Sequence, residues 1–75
     1  MKKTSNEIIV NNIKYYRLKA KITQAQMAEK LGITEKHYCH LENLKYQLTL
    51  KNLDIIAPIL NKEPWELLKE RHPKE

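Results

Sequence analysis

The sequence predicts an all-α fold of five short helices, and three observations carry that reading. Its 75 residues include one glycine and three prolines, too few breakers for a series of hairpins. Apolar residues recur at spacings of three and four rather than two, the period of helices with one buried face. Thr23, Thr34 and Thr49 each stand just ahead of such a stretch, where a helix takes its N-cap.

The first helix is expected from about Asn6 to Lys19, with Ile9, Ile13, Tyr16 and Ala20 on its inner face. Thr23 opens the second, and Gln26, three residues on, completes a capping box. Ala25, Met27, Ala28 and Leu31 follow, and Gly32 stands where a left-handed residue would end that helix. Only Ile33 separates Gly32 from Thr34, which caps a third helix over 34–43 with Tyr38 and Leu41 turned inward. Two helices joined so tightly must cross steeply, the geometry of a helix-turn-helix. Ala28 then lies where a larger side chain would collide with the third helix.

After a loop from Leu44 to Leu48, Thr49 caps a fourth helix whose expected buried stripe is Leu50, Leu53, Ile56, Ala57 and Leu60. Pro58 removes a backbone donor there and should kink or shorten the last turn. Ile55 and Ile59 fall off the stripe, available to a dimer interface or to a broader core face. The fifth helix starts at Pro64, suited to the first helical position, and is expected to bury Trp65 and Leu68. Met27 and Trp65 are read as core.

Residues 1–75 are enough for a single domain, with a folded core at about 6–71 and short flexible ends. A domain this small buries only roughly 60% of its unfolded surface, which favours a dimer. Fourteen Lys and Arg against nine Asp and Glu give a net charge of +5 and a sequence pI near 9.4, a balance that suits a nucleic-acid partner. Cys39 is the single cysteine, so no intrachain disulfide is possible and a reducing compartment is the natural one. Neither a signal peptide nor a membrane span fits the sequence, and a cytoplasmic location is expected. No cofactor, small-molecule ligand or companion ligand-binding domain is expected either.

At about 100° per residue, Lys36, Cys39, His40 and Asn43 lie on the face of the third helix opposite Thr34, Tyr38 and Leu41. Glu35 and Glu42 flank one edge of that face and His37 the other. His37, Cys39 and His40 look like metal ligands, but His37 and Cys39 point about 160° apart and cannot share an ion. No metal site is expected. No phosphate-binding glycine loop, nucleophile triad or paired-carboxylate cleft is present, and the chain is read as no enzyme.

The residues Ile13, Arg17, Ile22-Thr23-Gln24, Met27-Ala28, Leu31-Gly32-Ile33-Thr34, Leu41-Glu42-Asn43, Leu50, Leu53, Ile56-Ala57, Leu60-Asn61 and Trp65-Glu66-Leu67-Leu68 resemble the Cro/repressor helix-turn-helix family, the lambda-repressor-like or xenobiotic-response-element type. The resemblance covers Ile9 to Leu68. It implies a five-helix domain whose third helix enters the DNA major groove, often as a two-fold dimer. It also implies base reading by Glu35, Lys36 and His40, and a structural pair of Arg17 with Glu42 bridging the first and third helices. The family usually has glycine where Leu44 stands, so Asn43 is expected to take the left-handed conformation. A serine is usual at Cys39 and an aliphatic residue at Tyr38.

The chemistry of these side chains fits that surface. Lys36 can donate to guanine O6 and N7, and His40 can donate or accept at a base edge. Glu35 could accept from cytosine N4 or simply favour a helix N-terminus. Thr23 and Gln24 open the second helix, where free N–H groups and the helix dipole attract a phosphate. Asn43, Lys45, Tyr46 and Lys51 form a second polar and basic patch suited to phosphates, which position without reading sequence. The expected function is a sequence-specific, double-stranded-DNA-binding transcriptional regulator, a homodimeric repressor on an operator. The rival is a protein-binding module on the same fold, antitoxin-like or an adaptor, which would need an apolar outward face on the third helix.

Overall fold

The computed structural model describes residues 3–70, which form α1 (Ser5–Lys19), α2 (Gln24–Leu31), α3 (Glu35–Glu42), α4 (Leu50–Ile59) and α5 (Pro64–Leu68). No strand occurs among the described residues. Residues 1–2 and 72–75 of the expected flexible ends, and residue 71 at the expected edge of the folded core, lie outside them.

Each of the first four helices begins at a threonine whose hydroxyl accepts from the backbone N–H three residues on: Thr4 from Glu7, Thr23 from Gln26, Thr34 from His37 and Thr49 from Asn52. Thr4 and Glu7 form a full capping box, as Thr23 and Gln26 do, so α1 starts one residue earlier than expected. The Thr-x-x-Glu pattern was there to be read.

These helices also share one kind of ending. A backward bond closes each: Ile22 N–H donates to Arg17 O, Ile33 to Ala28 O, Lys45 to His40 O and Lys62 to Ala57 O, at 2.9–3.0 Å. The residue just before each donor sits in the left-handed region, Lys21 at φ 61°, Gly32 at 72°, Leu44 at 64° and Asn61 at 58°. Gly32 therefore does what the sequence indicated. Nothing lies within 4 Å of where a Cβ would stand on it, so its glycine answers a backbone demand and no steric one. The expectation for Asn43 is corrected: Asn43 stays at φ −92°, and the left-handed turn falls on Leu44. The bond from Leu44 N–H to Leu41 O, at 3.3 Å, fixes the turn one residue later.

The core draws Ile9 and Ile13 from α1, Met27 and Ala28 from α2, Tyr38 and Leu41 from α3, Leu53, Ile56 and Ala57 from α4 with Leu60 at its end, and Leu67 from α5. Tyr16 packs against it half-buried, whereas Ala20 caps α1 in solvent. Three further assignments change. Leu50 is 74% exposed, because side chains lean toward the helix N-terminus and the first residue of α4 overhangs the core edge. Trp65 and Leu68 are 62% and 47% exposed. With only five residues α5 has one inward position, taken by Leu67, and Trp65 lies about 200° around from it. Ile55 is exposed and Ile59 joins the core's margin.

Pro58 is the next-to-last residue of α4, and the helix stops right after it, the shortened end its missing donor implied. Asn12 sits within the apolar stripe of α1. Its buried amide donates to Leu67 O and Lys69 O, both at 2.8 Å, tying the end of α5 to α1.

Backbone strain at these helix ends is measurable. Leu44→Gly should raise stability by up to about 1 kcal/mol, since the left-handed cost for an L-residue exceeds the entropy that glycine loses. Gly32→Ala should lower it by about 1 kcal/mol or more. Urea midpoints of the two variants check this, and equal midpoints with wild type would remove the strain account.

Candidate nucleic-acid interface

The surface that α3 offers depends on how α3 is seated, and the seat is a buried polar network. Arg17, in the last turn of α1, and Glu42, the final residue of α3, are each 6% exposed. Arg17 Nε donates to Glu42 Oε2 at 2.6 Å and Nη2 to Oε1 at 3.1 Å, while Nη1 reaches Ile22 O at 2.7 Å. The Tyr38 hydroxyl donates to Glu42 Oε2 at 2.5 Å, and Gln24 Nε2 donates to Oε1 at 3.1 Å. One carboxylate thus holds three helices. No buried side-chain nitrogen or oxygen among the described residues lacks a partner.

The charges follow from this geometry. Burial works against ionising Glu42, but the hydrogen bonds from Arg17, Tyr38 and Gln24 outweigh it and hold the carboxyl below its ordinary 4.5. Burial likewise works against the Arg17 guanidinium, and Glu42 outweighs it, so the arginine stays charged. Burial, reinforced by the bond to Glu42, pushes the Tyr38 phenol well above its ordinary range and keeps it a donor. Tyr38 is turned inward, as its spacing implied. Its ring is buried in the core, and the small void beside it, lined also by Val10, Ile13, Leu41, Glu42, Leu48 and Ile56, is about 10 Å³, room for no ligand.

Outward from that seat, Glu35, Lys36 and His37 are exposed, and Cys39 and His40 are half-buried. Asn43, Lys45, Tyr46 and Lys51 are exposed around the α3–α4 turn. The Asn43 amide leans back on Cys39, Nδ2 to Sγ 3.4 Å. Ion pairs among the described residues join Lys3 to Glu70, Arg17 to Glu42 and Lys62 to Glu66, and they leave Lys36, Lys45 and Lys51 out. At the start of α2 the Thr23 hydroxyl accepts from Gln26 N–H at 3.0 Å and keeps its own proton to donate. Gln24, read from sequence as a phosphate contact, turns one amide N–H inward to Glu42.

The structure also gathers residues that the sequence left apart. The Tyr46 ring stacks on His37 with centroids 5.2 Å apart and planes 20° apart. Against His40 it is edge-on, at 5.5 Å and 62°. The His37-x-x-His40 spacing placed both imidazoles on one side of α3, but the return of Tyr46 depends on the turn at Leu44, which was misplaced. No group of three or more His, Cys, Asp or Glu among the described residues could hold a metal ion. No helix among them is long and apolar enough to cross a membrane.

A family model described as helix-turn-helix matches residues 13–67, from the core of α1 through Leu67 of α5. No curated protein and no solved structure matches the chain.

Removing one partner of a buried, hydrogen-bonded ion pair costs about 3–5 kcal/mol, a large part of the roughly 4–11 kcal/mol expected of a domain this size. Glu42→Ala should fall in that range. Because the folded state holds Glu42 below its unfolded value, its contribution is complete well above pH 4.5 and is lost as pH falls below it. The stability gap between wild type and Glu42→Gln should therefore narrow from pH 7 to pH 3. Urea titrations across that range test it, and a constant gap would show that the carboxylate's charge is not the source.

Proposed function

The chain belongs to the Cro/C1-type helix-turn-helix family, a family of DNA-binding, non-enzymatic domains, and from that premise we propose that it is a sequence-specific transcriptional repressor acting as a homodimer on operator DNA. The observation that carries the reading is the exposed Lys36 on the outward side of a helix whose inward side is locked by Tyr38, Leu41 and Glu42. A side chain on a seated helix reaches a base edge at a defined place in the major groove.

The roles divide by chemistry. Lys36 reads guanine, His40 reads beside it, and Glu35 either accepts from cytosine or favours the start of α3. Lys45, Lys51 and Asn43 meet one stretch of phosphates, with Tyr46 exposed among them, and Thr23 with the backbone N–H groups opening α2 meets another. Gln24 assists through its backbone, since its amide serves Glu42. Exposed polar and basic groups on α3 favour DNA over the protein-docking alternative, which needs an apolar face there. The exposed apolar side chains Ile55, Trp65 and Leu68, on α4 and α5, support a second copy as the partner of that end of the molecule.

Selection of bound sites from random duplexes, followed by titrations at several salt concentrations, tests this reading. Lys36→Ala should lose about 1–3 kcal/mol of discrimination between the selected site and random DNA. Lys45→Ala should weaken both alike and reduce the salt slope by about 1. Selected sites should show two half-sites centred about 34–36 Å apart. A Lys36→Ala protein with unchanged base preference overturns the assigned reading residue, and sites without two-fold symmetry remove the dimer.

A further inference from the structure

We propose that Tyr46 is a positioning residue for base recognition: its ring orders both His37 and His40, and it makes His37 a second reading histidine beside His40. The inference rests on the DNA-binding function above and assigns Tyr46 a different role from the phosphate contact its position implied.

The ring touches His37 face to face and His40 at its edge, at 5.2 and 5.5 Å between centroids. Residues three apart on a helix share a side, so one ring spans both imidazoles. An exposed imidazole on a bare helix samples several rotamers, and binding must then restrict it at an entropic cost. A side chain already held against a ring meets DNA without that cost. Both imidazoles can donate or accept at base edges.

Tyr46 can do this because its own loop is tethered at both ends. On one side Lys45 N–H donates to His40 O at 2.9 Å, across the left-handed Leu44. On the other, Leu48 N–H donates to Asn6 Oδ1 of α1, also at 2.9 Å. The segment carrying the ring is thus fixed to the end of α3 and to the start of α1, with Tyr46 between the two anchors. Half its surface stays exposed, so the ring can be removed without opening the core.

The test compares Tyr46→Phe, Tyr46→Leu and Tyr46→Ala in the full chain, with His37→Ala, His40→Ala and Lys45→Ala beside them, by sequencing duplexes selected from a random pool. Tyr46→Phe should keep the wild-type preferences. Tyr46→Ala and Tyr46→Leu should flatten preference, by about fivefold or more, at the same base positions that His37→Ala and His40→Ala flatten. Adding Tyr46→Ala to His40→Ala should cost less than the two losses combined. Uniform weakening on all duplexes with preferences intact overturns the proposal in favour of a phosphate contact, and so does a Tyr46→Phe protein that behaves like Tyr46→Ala. Proton NMR of the free protein separates this from a failure of DNA binding itself. The His37 and His40 ring resonances should shift in Tyr46→Leu and hold in Tyr46→Phe, and unmoved resonances overturn the stack whether or not any duplex binds.

Discussion

The carboxylate of Glu42 is the group on which the arrangement of the first three helices depends. It is an awkward group to bury, and awkwardly placed, since a negative charge at the last residue of a helix meets the negative end of the dipole. Arg17 resolves both difficulties from the last turn of α1, where a cation is favoured. Tyr38 and Gln24 complete the carboxylate's hydrogen bonds from α3 and α2. Such a network holds only if all its members are satisfied, because a half-satisfied one is worse than an apolar core. The consequence is directional. Rotating α3 about its axis would break bonds from α1 and α2 together, so the same contacts that stabilise the domain decide which side chains face outward.

What the sequence disclosed of the fold was whatever is decided locally. Thr23, Thr34 and Thr49 cap helices because a hydroxyl three residues before a free N–H finds it without help from the rest of the chain. Spacing likewise located Ile13, Met27, Leu41 and Ile56 in the core. It failed where a neighbour decides. Leu50 has the right phase but overhangs the edge of the packed region, and Trp65 has the wrong phase once Leu67 takes the inward position of a very short helix. The left-handed turn after α3 was assigned to Asn43 because asparagine adopts that conformation more readily than leucine. The backward bonds from Leu44 and Lys45 set the turn by position, and they override residue preference.

The candidate site divides along the same line. Lys36 was legible because an outward position on a helix needs only the helix and its inward residues. The companions of Glu42 were half legible: the resemblance supplied Arg17, whereas the hydroxyl of Tyr38 and the amide of Gln24 were read as packing and as a phosphate contact. Nothing in spacing alone says that a glutamine at the mouth of α2 turns toward the end of α3. The pairing of Tyr46 with His37 and His40 was illegible for a further reason. It joins a loop to a helix, and the path of a loop follows from the turn that starts it and the anchor that ends it.

Net charge, finally, understates how the basic residues are divided. Arg17 is neutralised inside the molecule, and Lys3 and Lys62 lie beside carboxylates on its flanks. Lys36, Lys45 and Lys51 are exposed cations on α3, its following turn and the first turn of α4, outside those pairs. Unmatched charge of this kind attracts phosphates without regard to sequence and weakens with salt, whereas discrimination between bases needs side chains held at fixed places. The turn after α3 places an unmatched charge, on Lys45, next to the Tyr46 ring that lies against the imidazoles of His37 and His40. Leu44 is the residue that sets them there: its left-handed conformation, which glycine would adopt at less cost, carries the chain back so that Lys45 and Tyr46 follow at the same edge of α3.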